Sequence, residues 1–143
     1  EPLKIWGKVE EGGIVPALSP AITTQCIRVP VSDGHLAAVF FSLDNKVSPD
    51  EIIRRWRTFS GEPQKLALPS APAQFLHYFD EPDRPQTRLD RDLEKGMAVS
   101  IGRLREDSQY DYKFVCLSHN TIRGAAGGNI LMAELLAAKG YLD

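Results

Sequence analysis

The sequence predicts an α+β fold, built on a mixed, mostly antiparallel sheet with helices on one face. The 143 residues, 43% of them hydrophobic and 25% charged, have the length and balance of one globular domain. Strand-like segments occur in two neighbouring pairs, and each pair is joined by a turn. Two helical segments stand apart from these pairs, which favours an α+β arrangement over a regular alternation of strands and helices.

The first third of the chain is expected to contain a strand pair. Residues 1–20 have little pattern, although Lys4 to Val9 fits the tail of a helix that stops near Gly7 or at Gly12-Gly13. Residues 21–31 are rich in Ile, Thr and Val and predict a strand, in which Pro30 requires an edge or a bend.

A second strand is predicted over 35–43, directly after a tight turn at Ser32-Asp33-Gly34. The short turn implies that this strand and the segment 21–31 form a hairpin or an adjacent pair.

A helix is predicted from Ser48 to Gly61. Ser48 can cap a free N–H, Pro49 fits the first helical position, and Glu51 can close a capping box. Apolar residues then recur at helical spacing, and Gly61 ends the helix. Three arginines of this helix are expected to form a solvated face: Arg54, Arg55 and Arg57.

The segment 62–95 holds five prolines and the aromatic residues Phe75, Tyr78 and Phe79. A long proline-rich stretch inside a compact domain usually forms an extended arm or a functional loop. The aromatic residues indicate that this one packs on something, such as a partner subunit.

The last third of the chain predicts two strands and a helix. Residues 97–105 and 110–118 alternate in polarity and are joined by the turn 106–108. A final helix is predicted from about Gly124 or Asn129 to Lys139, with Gly140 as its stop, and it is apolar over most of its surface.

Composition excludes several classes of function. A net charge of −2 gives no basic field for general nucleic-acid binding. No apolar run approaches the roughly 20 residues that span a bilayer. Two cysteines are too few for a disulfide scaffold, and we expect no metal site, a reducing compartment and a cytoplasmic protein. The chain opens without Met or a signal peptide, and we expect it to be a piece of a longer protein.

Arg28 and His35 are the first candidates for chemistry. Arg28 offers a planar fork suited to a carboxylate or phosphate, and imidazole exchanges a proton readily near neutral pH. A hairpin can bring two residues seven positions apart to one site, where they would suit a small anionic substrate. The alternative is that Arg28 makes a surface ion pair and His35 merely begins a strand.

The two cysteines are weaker candidates. Cys26 lies on the same face of the predicted strand as Arg28, and a Cys26–His35 nucleophile pair is conceivable. Nothing nearby in the sequence is placed to activate its thiol, so a buried structural thiol is the main alternative. Cys116, in an apolar run, is expected to belong to the core.

Residues 119–128 combine polar and small side chains just before the final helix. Gly and Ala allow close backbone approach, and free N–H groups at a helix start favour an anion or a polar ring. A tight strand-to-helix turn, whose glycines serve only packing, is the alternative.

Three segments resemble one known family: CIRVPVSDGH (26–35), RPQTRLDRDLEKGMAVSIGRLRE (84–106) and SHNTIRGAAGGNILMAELLAAKGYL (118–142). Over nearly its whole length the chain resembles the C-terminal, substrate-binding and dimerisation half of aspartate-semialdehyde dehydrogenase of the fungal and archaeal type. The resemblance implies a fold like the C-terminal domain of glyceraldehyde-3-phosphate dehydrogenase. Residues 1–143 would form a single catalytic and dimerisation domain, with the N-terminal dinucleotide-binding domain outside them.

The family's reaction is then an expectation for the intact protein. Its members reduce 4-phospho-aspartate to aspartate semialdehyde with NADPH and release phosphate, on the route to lysine, threonine and methionine. A cysteine thiolate forms an acyl-enzyme, a histidine acts as acid and base, and an arginine seven residues before it binds the substrate carboxylate. The matching residues here are His35 and Arg28.

The resemblance also implies a cofactor contact and an assembly. The residues expected beside the nicotinamide end of NADP are Asn120, Thr121, Gly124, Ala125 and Ala126. A homodimer or homotetramer is expected, with the open sheet face paired across the dimer.

Parts of the family's pattern are absent from these 143 residues. There is no Ser-Asn-Cys nucleophile motif and no glycine-rich dinucleotide loop, so this piece alone is expected to be inactive. Glu1 and Lys4 have Glu-x-x-Lys spacing, but they resemble a turn that follows the true motif and receive no role. Three alternatives stay open: an inactive dimerisation module, a related acyl-phosphate or acyl-CoA reductase, and a cysteine hydrolase built on Cys26 and His35.

Overall fold

The computed structural model describes residues 1–142, which divide into two compact units. Residues 1–30 form the N-terminal unit, and the second unit begins at Val31.

The N-terminal unit starts with a one-turn helix and a small hairpin. Helix α1 spans Pro2–Ile5, and strands β1 (Lys8–Glu10) and β2 (Gly13–Val15) pair in antiparallel register. The prediction of a helix tail over Lys4 to Val9 is therefore wrong beyond Ile5. The chain turns at Gly7, where the carbonyl of Val15 leaves no room for a side chain.

The strand predicted over 21–31 is absent. These residues are all exposed and form no regular structure. Pro20 and Pro30 lack N–H donors at both ends of the segment, and none of the strands in residues 1–142 pairs with it. β-Branched residues alone do not make a strand when no partner satisfies its backbone.

The second unit is built on a four-stranded sheet in the order β3-β6-β5-β4. β3–β6 and β6–β5 are antiparallel, whereas β5–β4 is parallel, which confirms the predicted mixed, mostly antiparallel sheet. The strands are β3 (His35–Phe41), β4 (Leu76–Phe79), β5 (Val99–Glu106) and β6 (Tyr112–Ser118). β3 therefore pairs with β6, 71 to 83 residues further along the chain, and not with 21–31.

Helix α2 (Pro49–Arg57) begins as predicted and ends earlier than Gly61. The Ser48 hydroxyl accepts the Glu51 N–H at 3.3 Å, which confirms the cap. The Glu51 carboxylate binds Arg54 and Arg55 at 2.7–2.8 Å instead of closing the capping box. These arginine side chains are more than half exposed, as the solvated-face prediction requires.

Trp56 fixes α2 to one face of the sheet. Its ring stacks on Tyr78 of β4 at a centroid distance of 5.8 Å and tilts against Phe114 of β6 at 5.0 Å. Tyr78 and Phe114 share a sheet face, since side chains alternate along each strand and the registers align them.

The proline-rich segment 62–95 is part of the fold. It contains helix α3 (Glu62–Lys65), strand β4, helix α4 (Thr87–Asp90) and a 3₁₀ turn at Leu93–Gly96. The expectation of an extended arm is therefore wrong. Its aromatic residues pack within the chain, with Phe75 against Phe59 at 6.0 Å, because β4 joins the sheet edge beside β5.

The chain ends as predicted in two strands and a helix. β5 and β6 begin two residues later than expected, and a bulge interrupts their pairing between Gly102 and Arg105. A π-helical turn (Ile122–Ala126) then leads into α5 (Gly127–Ala138), and Gly140 follows it at φ +74°.

The α5 side of the second unit has its own apolar cluster. Leu131 of α5 packs with Leu68 and Met97, and partly buried neighbours enclose them: Ala71, Ile122 and Leu135. No helix within residues 1–142 is both long enough and apolar enough to cross a membrane.

Candidate active site

His35 is the first residue of β3, and its side chain is exposed. It lies opposite Ser118, the last residue of β6. The loop that follows β6 therefore begins beside the turn that precedes His35. Two segments that lie more than 80 residues apart in the sequence, both predicted to carry chemistry, meet at this end of the sheet.

Two hydrogen bonds join these segments. The backbone N–H of Gly34 donates to Asn120 Oδ1 at 2.9 Å. The Thr121 hydroxyl lies 3.0 Å from Asp33 Oδ1 and donates to it. The turn that leads into His35 is therefore held by the side chains of two predicted cofactor-site residues.

Gly34 is required by both conformation and space. It is buried at φ +108°, a region that favours glycine. A Cβ at this position would lie 2.9 Å from Leu117 Cδ1 and 3.4 Å from Thr87 Cγ2. Arg91, just after α4, adds a hydrogen bond to the Ser32 hydroxyl.

His119 organises the loop after β6. The residue is 6% exposed, and its Nδ1 accepts the backbone N–H groups of Thr121 and Ile122, each at 3.2 Å. A nitrogen that accepts carries no proton, so the neutral ring holds its proton on Nε2, which lies 3.8 Å from Asp92 Oδ1. The sequence marked this residue only as the start of a polar stretch.

The π-helical turn presents a surface of small residues. Gly124, Ala125 and Ala126 are exposed, so a flat group can approach their backbone closely. The N–H groups of Gly124 and Ala126 are already bonded to the carbonyls of His119 and Thr121, at 3.0 and 2.9 Å. The expected free N–H groups are therefore not available for an anion at these two positions.

Arg28 and Cys26 belong to the N-terminal unit, where both are exposed. Their placement beside His35 stays a prediction from the sequence. The structure brings together His35, Asn120 and Thr121.

Cys116 is on β6 and is partly buried, so it borders the core that the sequence predicted for it and is not one of the fully buried residues. Burial raises the pKa of its thiol, which disfavours the reactive thiolate. Residues 1–142 contain no group of three or more His, Cys, Asp or Glu side chains arranged to hold a metal ion.

An open cavity of about 650 Å³ lies elsewhere, between α2 and β3. Phe41, Ile52 and Trp56 line it, together with Arg55. It lies toward the Phe41 end of β3, whereas His35 is at the other end, about 20 Å away at 3.4 Å per residue. The cavity is therefore separate from the candidate site.

The mixed four-stranded sheet and its helices define the class of this domain. The fold is that of the C-terminal domain of aspartate-semialdehyde dehydrogenases. It superposes on the crystal structure of the Candida albicans enzyme with NADP at a TM-score of 0.85 and 44% identity, over 98% of this chain and 41% of that one. The chain belongs to the semialdehyde dehydrogenase dimerisation-domain family, whose model matches residues 1–123.

Curated relatives agree with this assignment. Aspartate-semialdehyde dehydrogenase of Methanothermobacter thermautotrophicus is 47% identical over 138 residues, which are 95% of this chain and 40% of the relative. The Candida albicans enzyme is 45% identical over 148 residues, and the match covers 99% of this chain and 40% of that enzyme. The chain thus spans about 40% of the length of the curated relatives it matches. The fold is shared by aspartate semialdehyde dehydrogenase II of Vibrio cholerae. That structure is 24% identical, with a TM-score of 0.60 over 78% of this chain and 29% of that one.

Proposed function

We propose that this chain supplies the acid–base histidine and the carboxylate-binding arginine of an NADP-dependent aspartate-semialdehyde dehydrogenase. The intact enzyme converts 4-phospho-aspartate, NADPH and a proton to aspartate semialdehyde, NADP and phosphate. The observation that carries the proposal is the junction of His35 with the 119–126 loop, through the bond between Gly34 N–H and Asn120 Oδ1 at 2.9 Å. The fungal and archaeal relatives support the same reaction.

The loop of small residues fits one end of the cofactor. The exposed backbone of Gly124, Ala125 and Ala126 suits a flat ring, while its bonded N–H groups do not suit a phosphate. With Asn120 and Thr121, these residues would lie against the nicotinamide end, and the cofactor would supply a hydride. A dinucleotide-binding domain outside these residues would hold the phosphates and carry the nucleophilic cysteine.

His35 would move the proton in this reaction. An imidazole exchanges a proton readily near neutral pH, so it can take the proton from the attacking thiol and later return one to the tetrahedral adduct. Its exposure leaves the ring open to substrate, and the turn before it is fixed by two hydrogen bonds.

Arg28 would bind the carboxylate of the amino-acid substrate. A guanidinium presents two parallel N–H donors that match both oxygens of a carboxylate, which fixes the direction of the substrate as well as its position. Arg28 is exposed, and none of the ion pairs found among residues 1–142 involves it.

The test is phosphate-dependent NADP reduction by the intact two-domain protein. His35→Asn is expected to lower kcat about 10²- to 10⁴-fold, the range of a lost acid–base group. Arg28→Lys is expected to raise KM for aspartate semialdehyde while KM for NADP stays the same, because it loses the bidentate contact.

His77→Asn and Arg88→Ala are matched controls, since His77 lies on β4 and Arg88 is an exposed residue of α4. Full kcat/KM in the His35→Asn protein would contradict the proposal. Activity with another acyl phosphate or an acyl-CoA, and none with aspartate semialdehyde, would assign the site to a related reductase.

The family description also favours an assembly role, because the matching model is a dimerisation domain. We propose a homodimer or homotetramer, located in the cytoplasm. Analytical ultracentrifugation of the intact protein tests the assembly, and a monomer at micromolar concentration would contradict it.

A further inference from the structure

Asn120 stands between the two parts of the candidate site. Its Oδ1 accepts the Gly34 N–H at 2.9 Å, immediately before His35. Four residues later along the chain begins the exposed surface of Gly124 to Ala126. One side chain therefore ties the turn that presents the histidine to the loop expected to lie beside the cofactor.

This bond holds the Gly34 N–H, the backbone donor directly before β3. Gly34 is at φ +108°, one of several regions open to glycine, so conformational preference alone does not select this shape and the hydrogen bond helps to do so. The second bond, from Thr121 to Asp33, acts on an exposed pair one residue further from His35. The β3–β6 register places His35 opposite Ser118, and Asn120 holds the residue directly before His35, so the path of the backbone into β3 depends on the Asn120 side chain as well as on the strand pairing.

The residue that precedes Asn120, His119, is also held in place. His119 is buried and accepts two N–H groups of the loop, and His119 packs against the α-carbon of Gly96, where a Cβ would lie 3.2 Å from its ring. Asn120 is therefore anchored to a buried residue before it reaches across to the turn.

We propose that Asn120 is a positioning residue for His35, acting through its side-chain oxygen, and not primarily a cofactor ligand. This inference rests on the proposed function, because it concerns the same acid–base step. A histidine displaced by about 1 Å can lose about 10²-fold in rate while substrates still bind. The oxygen of residue 120 therefore matters for kcat more than for KM.

The experiment compares three variants of the intact protein: Asn120→Ala, Asn120→Ser and Asn120→Asp. Asn120→Ala removes the side-chain oxygen. Asn120→Ser has an oxygen on a shorter side chain, which does not extend to the Gly34 N–H. Asn120→Asp keeps an oxygen at the same distance from the backbone as Asn120 Oδ1. Both kcat and the KM values for NADP and aspartate semialdehyde are measured for each. Asn129→Ala, an exposed asparagine in the first turn of α5, is the matched control.

We expect kcat to fall while KM for NADP stays nearly the same, and kcat to recover in one variant. Asn120→Ala and Asn120→Ser lower kcat about 10- to 100-fold with KM for NADP within about threefold of wild type, and Asn120→Asp restores most of kcat. Asn129→Ala leaves both constants unchanged. If Asn120→Ala does not fold, the comparison of Ser with Asp carries the test.

Two results would overturn the inference. A rise in KM for NADP at constant kcat would make Asn120 a cofactor ligand. Equal losses of kcat in Asn120→Asp and Asn120→Ser would show that the side-chain oxygen is not what matters. His35→Asn is assayed in parallel to separate the two proposals. If it keeps full turnover, the proposed function fails; if it loses turnover while Asn120→Ala keeps kcat, only the positioning role fails.

Discussion

Arg84, which is partly exposed, forms an ion pair with the buried carboxylate of Asp90. Arg84 Nε donates to the two carboxylate oxygens of Asp90 at 3.0 and 2.8 Å, and the backbone N–H of Gln86 donates to the same carboxylate at 2.7 Å. Asp90 is 3% exposed. Burial by itself would raise the pKa of Asp90, but these hydrogen bonds outweigh it and hold the pKa below its usual value.

We expect Arg84→Met to destabilise the second unit by about 3 kcal/mol, because it leaves the Asp90 carboxylate buried without its cation. Arg84 also lies over the Phe79 ring at 4.6 Å, and the methionine keeps that apolar contact. Urea unfolding of the single variants and of Arg84→Met with Asp90→Leu measures the effect. A double variant no more stable than Arg84→Met would contradict the explanation, since removing both charges should recover part of the loss.

Asp107 predicts a pH dependence of stability. The side-chain hydrogen bond from Lys113, at 2.8 Å, and the N–H groups of Gln109 and Tyr110 lower its pKa to about 2. A lowered carboxyl pKa contributes stability above its ordinary value of 3.8, and that contribution is lost as the pH falls toward about 2.

The Asp107→Asn variant should therefore be less stable than wild type above about pH 4, and the difference should shrink as the pH falls to about 2. Thermal unfolding at a series of pH values measures this. Asp44→Asn serves as the control, since Asp44 is exposed and takes part in none of the ion pairs found among residues 1–142. A difference that stays constant with pH would contradict the prediction.

Gly34→Ala should destabilise the protein by about 2 kcal/mol or more and should also lower turnover. The positive φ costs a side chain about 1–2 kcal/mol, and the new Cβ would press on Leu117. Two other glycines separate these causes. Gly13→Ala has φ +128° and open space, so it should show the conformational cost alone, whereas Gly12→Ala has neither problem and should be close to neutral.

Thiol labelling should distinguish the two cysteines. Cys26 is exposed, whereas Cys116 is enclosed in β6 and its pKa is raised by burial. Iodoacetamide at pH 8 should therefore modify Cys26 in the folded protein and reach Cys116 only after denaturation, as peptide mass mapping would show. Rapid, stoichiometric alkylation of Cys26 at pH 6 would instead favour the cysteine-hydrolase alternative.

The fold was predictable where short-range sequence signals are enough to specify an element and its pairing partner. The cap at Ser48 and the pair β5–β6 follow from short-range chemistry, and both are present. The segment 21–31 shows the limit, because its β-branched residues predict a strand and nothing in the sequence says whether a neighbour will pair with it. β4 was missed for the opposite reason: prolines surround it, and its pairing with β5 is parallel and remote.

The candidate site was predictable in its residues more than in its geometry. His35 and the 119–128 loop were marked by their side-chain chemistry and by resemblance, and the β3–β6 register brings them together. The anchoring role of His119 could not be foreseen, because it depends on an acceptor nitrogen facing two backbone N–H groups. The Arg84–Asp90 pair left no signal beyond a charged stretch.

β3 ends the sheet, and its outer backbone edge has no partner strand in residues 1–142. Proteins usually protect such an edge with lysine, proline or a bulge, yet the seven residues of β3 contain none of these. Leu36 and Phe40 are also more than half exposed along it. We therefore expect strand-to-strand aggregation at this edge to limit the solubility of these residues produced by themselves at high concentration, and Leu36→Lys to reduce it.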